Sequence, residues 1–263
     1  MAVAPRSMVA LLLLGGAPAA RAQDVPKIAA AADLRPALTV LAAEFKRASG
    51  SDVAITFGAS GIFARQLAQG APYQLFLSAD QNLVFDLAKA GVTEGQGAAI
   101  GVGRLAFVAA KGSMLAADVR RLGLRAALSR APIEHFAIAN PEHAPYGARA
   151  ADVLHRAGLW NGLRDRLVLG ETVSQALEFV LSGNAQGGIV ALPIASDPAL
   201  ATRIEVVAIP QAWHRPLVQQ MVLIRGAGAV ARRFYAYLRQ PAARRVFARY
   251  GLAPPSPRSV GLD

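Results

Sequence analysis

A chain of 263 residues, 54% hydrophobic but only 6% aromatic, is long enough for one large or two small domains and must build its core mainly from Ala, Leu and Val. This composition excludes a disordered chain, and the absence of cysteine excludes disulfides, thiol catalysis and a lipid-bearing cysteine at a signal junction. The formal charge of +11 is carried without dense basic clusters and interleaved aromatics, so it reads as a solvated, arginine-rich surface with a minor pull on anions, and not as a nucleic-acid interface.

Residues 1–22 read as an export signal. Arg6 gives a positive start, Met8 to Leu14 is an apolar run too short to span a bilayer, and Ala20-Arg21-Ala22 is a small-x-small cleavage site that leaves Gln23 as the mature start. A soluble, exported, periplasmic protein is the expected product. Ile28 to Ala32 then reads as the first strand. Asp33 is placed to cap a helix from Leu34 to about Ser49, whose Leu34, Leu38, Leu41 and Phe45 recur at helical spacing, and Gly50 ends it. A second strand, Val53 to Phe57, stops at Gly58-Ala59-Ser60-Gly61, and a helix follows from about Ile62. Strand, tight glycine turn, hydroxyl and helix start together make an anion-binding mouth, because the first N–H groups of a helix lack partners and the helix dipole is positive there. Taken alone, Ser60 is better explained as an ordinary N-cap.

Leu75-Phe76-Leu77 is a third strand, and Ser78-Ala79-Asp80 opens a helix to about Ala90. Arg104 to Ala110 is a strand, Leu115 to Ser129 an arginine-rich helical region, and His135 to Ala139 a strand running into the shaped loop Asn140-Pro141-Glu142-His143-Ala144-Pro145-Tyr146-Gly147. A helix is expected from about Ala148. After a strand at Leu167 to Leu169, Thr172 and Gln175 form a capping box for a helix beginning at Val173. Strands follow at Gly187 to Ala191, at Ile204 to Ala208 and in the extended stretch Pro216 to Ile224, and a helical segment fills Val230 to Tyr250. The order is two strand–helix blocks with a return, which divides the chain into lobe 1 (23–103 plus 216–263) and lobe 2 (104–215), joined by two crossings.

No catalytic set stands out. His135, His143, His155 and His214 have no metal-ligand spacing, the glycine frame around Ser60 only loosely resembles a nucleophile elbow, and no Gly-Lys-Ser phosphate loop is present. What the sequence offers instead is neutral donors at several strand-to-helix junctions, suited to a small, fully ionised oxyanion.

Four stretches, Phe57-Gly58-Ala59-Ser60-Gly61, Gly70-Ala71-Pro72 leading to Phe76-Leu77-Ser78-Ala79-Asp80, Asn140 through Gly147, and Gly170-Glu171-Thr172-Val173-Ser174-Gln175-Ala176, resemble the periplasmic molybdate-binding proteins of ABC transporters over nearly the whole mature length. The resemblance implies an α/β, two-lobed type II periplasmic-binding fold, each lobe a mixed sheet flanked by helices, with molybdate and often tungstate in the interlobe cleft. It implies no enzyme activity, no cofactor, no direct metal ligand and a monomer that delivers its ion to a membrane permease. By position, Ser60 donates its hydroxyl and N–H, and Tyr146 and Val173 donate backbone N–H groups. At Ala32-Asp33 family members often carry a serine. Here the hydroxyl is missing, backbone N–H groups remain, and the Asp33 carboxylate is expected to turn away as a helix cap. A tyrosine that some members place at Ala191 is missing too. Another tetrahedral oxyanion such as sulfate is the alternative ligand, and an enzyme on the same architecture is a further one.

Overall fold

The computed structural model describes residues 25–254. The signal read at 1–22 lies outside the described residues, as does the tail beyond Pro254. In chain order the first part comprises β1 (Lys27–Ala31), α1 (Arg35–Ser49), β2 (Ala54–Gly58), α2 (Ser60–Ala68), β3 (Leu75–Ser78), α3 (Gln81–Lys89) and β4 (Ala98–Gly103). The second comprises β5 (Leu105–Ala110), α4 (Met114–Leu122), α5 (Leu124–Arg130), β6 (Phe136–Ala139), α6 (Pro145–Arg156), α7 (Trp160–Leu163), β7 (Leu167–Gly170), α8 (Val173–Leu181), β8 (Gly187–Ala191), α9 (Leu192–Ala195) and β9 (Ile204–Ala208). The chain closes with β10 (Leu217–Leu223), α10 (Ala229–Leu238) and α11 (Pro241–Arg249).

These strands form two five-stranded mixed sheets, ordered β2-β1-β3-β10-β4 and β7-β6-β8-β5-β9. The two repeat one plan. The second strand in each order, β1 or β6, runs parallel to both neighbours. The fourth strand in each order, β10 or β5, runs antiparallel to both of its own. Such inner strands are covered on both faces, which is why β1, β3, β6 and β8 read as unbroken apolar runs without alternation. The apolar stripe of α1 is buried at Leu38, Leu41 and Phe45, with Leu34 at its N-cap, and the Phe45 ring lies 5.0 Å from that of Phe234 on α10, so the last segment packs back on the first part of the chain.

Several expectations shift. β4 is unmarked in the sequence because its Ala-Ala-Ile-Gly-Val-Gly composition has low strand propensity. Pairing with β10 makes it a strand. The helical region at 115–129 is broken at Gly123, whose φ of 79° ends α4. The 230–250 segment is split at Gln240-Pro241, where proline starts a new helix. α2 and α6 begin earlier than expected, at Ser60 and Pro145, and both shifts bear on the site.

Candidate functional site

The parallel strands of both sheets end facing one another, and the residues just past those ends line a single small cavity: Ala31 to Asp33, Gly58 to Ser60, Ala79, Ala144 to Tyr146, and Val173. All five residues singled out from sequence, Ala32, Asp33, Ser60, Tyr146 and Val173, are brought together there. The cavity has only about 10 Å³, room on the scale of one water and far below that of an organic ligand. No lysine or arginine lines it.

Helix starts supply the polarity. Val173 is the first residue of α8 and Tyr146 the second of α6, after Pro145, so their N–H groups precede the first intrahelical bond. The capping box on α8 is present: Thr172 Oγ1 accepts the Gln175 N–H at 3.2 Å. The return bond runs to the Glu171 N–H at 2.7 Å, one residue earlier than the ideal box.

Ser60 is not an N-cap. The cap of α2 is Ala59, and Ser60 is the first helical residue, 1% exposed. Its Oγ accepts the Ala79 N–H at 3.0 Å. A hydroxyl oxygen held that way has its own proton available to another acceptor. The next residue, Gly61, donates its N–H to the His143 carbonyl at 2.9 Å, across from one sheet's unit to the other. A β-carbon on Gly61 would lie 2.6 Å from that oxygen, so only glycine permits the approach.

Asp33 also departs from expectation. Ala32–Leu34 forms a 3-10 turn, and α1 is capped by Leu34 with no side-chain bond. The Asp33 carboxylate does not turn back onto its helix. It is 2% exposed, accepting from the Tyr146 hydroxyl at 3.0 Å and from the Gln219 amide on β10, while Gln219 Nε2 lies 3.1 Å from the Tyr146 oxygen. Burial lifts the Asp33 carboxyl to about 6, with the bonds from Gln219 and Tyr146 pulling it back down. Burial, and then the Asp33 charge, push the Tyr146 phenol well above its usual value. A side chain on Gly103 would collide with the Tyr146 hydroxyl, so β4 also makes room for this cluster. Ala191, where the resemblance implied a missing hydroxyl, ends β8 and is not among the lining residues.

A second set of side chains links the two units beside the cavity. Arg149 of α6, its side chain 8% exposed, reaches Asp80 at 3.3 Å and Asp152 at 3.5 Å, and Asp152 holds Arg215 through Nε at 3.0 Å and Nη2 at 3.1 Å. Burial and the Arg215 charge hold the Arg149 guanidinium below its usual value, against the pull of Asp80 and Asp152. Burial pushes the Asp152 carboxyl up, but the bonds and charges of Arg215 and Arg149 outweigh it and leave it low. Sequence reasoning missed Arg149 and Gln219. Arg149 carried no local signal. Gln219-Gln220, a polar pair inside the apolar run Leu217–Leu223, did. Among the described residues no group of three or more His, Cys, Asp or Glu is placed to hold a metal ion, and no helix is long and apolar enough to cross a membrane.

A family profile described as bacterial extracellular solute-binding protein matches residues 26–253. The molybdate-binding protein ModA of Rhodobacter capsulatus is 34% identical over 244 residues, spanning 91% of this chain and 92% of that protein. The solved periplasmic molybdate-binding protein of Azotobacter vinelandii superposes with a TM-score of 0.80 at 29% identity, covering 88% of this chain and 100% of that one. The sulfate-binding protein SubI of Mycobacterium tuberculosis superposes at 0.71 with 17% identity over 89% of this chain and 88% of its own, a likeness of fold alone.

Proposed function

The chain belongs to the bacterial extracellular solute-binding protein family, and on that premise we propose that it is the periplasmic receptor of an ABC importer, capturing molybdate, and tungstate with it, for delivery to a membrane permease. The observation that carries this reading is the cavity: a compact space ringed by helix starts and one hydroxyl, without any lysine or arginine. Neutral donors and dipoles hold a fully ionised oxyanion at low desolvation cost and let it go when they separate. In this reading Ser60 gives its hydroxyl proton and N–H, and Ala32, Asp33, Tyr146 and Val173 give backbone N–H groups. The oxygens of the ion are bonded and the metal itself touches no residue.

The two sheets act as lobes, 23–103 with 216–263 against 104–215, closing about the crossings at Arg104 and Arg215. The receptor works as a monomer without a catalytic step or a cofactor, and residues 1–22 direct its export. Relatives named as molybdate-binding support the ion. A likeness in fold to a sulfate-binding protein keeps sulfate as the competing ligand, to be decided by whether the donors reach oxygens on longer metal–oxygen bonds.

Calorimetric titration with molybdate, tungstate, sulfate and phosphate tests this. Micromolar or tighter binding of the first two alone is expected; tight sulfate binding, or no heat with any of the four, overturns it. Ser60→Ala removes a donor to a charged ligand and should weaken molybdate binding by about 1.5–3 kcal/mol. An unchanged affinity would leave Ser60 only its bond to Ala79.

A further inference from the structure

An anion site with a carboxylate in its wall has a charge of the wrong sign in it. Asp33 lines the cavity, is 2% exposed, and has only neutral partners: the Gln219 amide, the Tyr146 hydroxyl and its own backbone N–H. We propose that the Asp33–Tyr146–Gln219 cluster is a proton-binding site coupled to the oxyanion cavity, so that capture of the dianion takes up one proton onto the Asp33 carboxyl. This rests on the receptor reading above.

Among the described residues no cation bonds the carboxylate: Arg104, which follows β4 and has its Nε buried without a hydrogen bond, is not among the groups that shift it. β2, β4, β10 and α9 carry no ionisable side chain. On α1, Arg35 lies over the Phe57 ring, 4.4 Å from its centre. On α8, Glu178 is exposed. On α6, Arg149 is committed to Asp80 and Asp152. Lys27 is at the far end of β1. The cluster is also short of donors, since Gln219 Oε1 is buried with no hydrogen bond. A proton removes a buried charge, removes its repulsion toward a neighbouring dianion, and adds a donor. Burial already lifts the carboxyl to about 6, and a dianion beside it moves it further in the same direction.

The cluster also reports closure. Asp33 and Gln219 belong to lobe 1, while Tyr146 rides on α6 of lobe 2. When the lobes part, Asp33 loses a partner and its cover. The protonated carboxyl therefore favours the closed, loaded receptor. The balance is one oxyanion plus one solvent proton bound, with no bond of the ion broken. Because the loaded receptor holds more protons than the free one, affinity falls as pH rises, by up to about tenfold per unit between the free and loaded values of the carboxyl.

The test is molybdate titration of the wild-type protein at pH 7 in buffers of different ionisation enthalpy, repeated across pH 6 to 8.5. Uptake of roughly 0.5–1 proton is expected, with affinity falling toward high pH. Asp33→Asn should abolish both the uptake and the slope and bind more tightly than wild type at pH 8. Tyr146→Phe takes one donor from the carboxylate while keeping the backbone N–H, and should retain the uptake with its slope displaced to higher pH. That variant and the wild-type titration decide the matter if Asp33→Asn does not fold. His143, beside Glu171, and His214, beside Arg215, are unchanged in Asp33→Asn, so uptake that persists there assigns the proton elsewhere and overturns the proposal. Binding without uptake overturns the proton site and leaves the receptor reading intact. Absence of binding to any of the four oxyanions overturns both.

Discussion

Two clusters tie the units of the two sheets together, and they do it with opposite chemistry. Asp33–Tyr146–Gln219 is a dry clasp beside the cavity, a single acidic group held by neutral donors. Asp80–Arg149–Asp152–Arg215 is a ladder of alternating charge that runs from the Asp80 carboxylate through the buried Arg149 guanidinium and ends at an exposed arginine. In the clasp, burial sets the ionisation and no counter-charge offsets it, so pH is its lever. In the ladder each charge faces an opposite one and the far end meets water, so salt is its lever. In the proposed receptor the uncompensated group is the one that lines the cavity, where arrival of an ion would change its state most.

The largest effect is expected at a third contact between the two sheets' units, the backbone bond from Gly61 to His143. Gly61→Ala puts a methyl against the His143 carbonyl, a backbone atom that cannot swing away. The lobes should fail to close fully, with molybdate affinity reduced by about 3 kcal/mol, the upper end for overpacking. Titration of the variant checks this, and wild-type affinity would mean that closure tolerates a wider gap.

An intermediate effect isolates the clasp. Gln219→Leu takes a donor from the buried Asp33 carboxylate and should cost about 2 kcal/mol of stability at pH 8. The sign follows from the carboxyl lying at about 6 in the folded chain against 3.8 in the unfolded one. The folded chain holds the extra proton, so Asp33 makes the protein less stable as pH rises through that window, and the penalty is absent below it. The cost of the variant should therefore shrink toward pH 4, read as urea denaturation curves at a series of pH values. A pH-independent loss would assign Gln219 a packing role only.

The smallest effect belongs to the ladder. Arg149→Met keeps most of the side-chain volume. It leaves Asp80 bonded to the Asn82 N–H and Asp152 bonded to Arg215. A change of about 1 kcal/mol is expected, as faster release of molybdate with less dependence on salt. Stopped-flow release rates at two ionic strengths measure it. A loss as large as that of Gly61→Ala would show that the ladder, not the clasp, governs closure.

Local chemistry made much of this legible in advance. The unbroken apolar runs announced inner strands, the Thr172–Gln175 pair announced α8, and a hydroxyl after a glycine turn pointed to Ser60. Errors arose where a residue's partner lies far along the chain. For Ser60 the cap alternative, weighed against the ligand role, came from local rules that offer its hydroxyl only local partners, yet the Ala79 N–H that it accepts belongs to another strand end. Asp33 failed in the same way. A helix-start aspartate normally caps, but here Tyr146 and Gln219, 113 and 186 residues away, take its carboxylate. β4 failed because a glycine-rich strand exists only through its neighbour.

The sequence by itself determined most of the strands and helices, though not β4 or the breaks at Gly123 and Pro241, and that several helix starts carry small or hydroxyl residues, because hydrophobic period and capping act over a few residues. Only the tertiary structure decided that those starts surround one cavity, that Gly61 is needed for a backbone contact, and that an acid is sealed into the wall. Contacts between residues a hundred or more positions apart leave no periodic trace, and the burial that shifts a carboxyl exists only once the two sheets face each other.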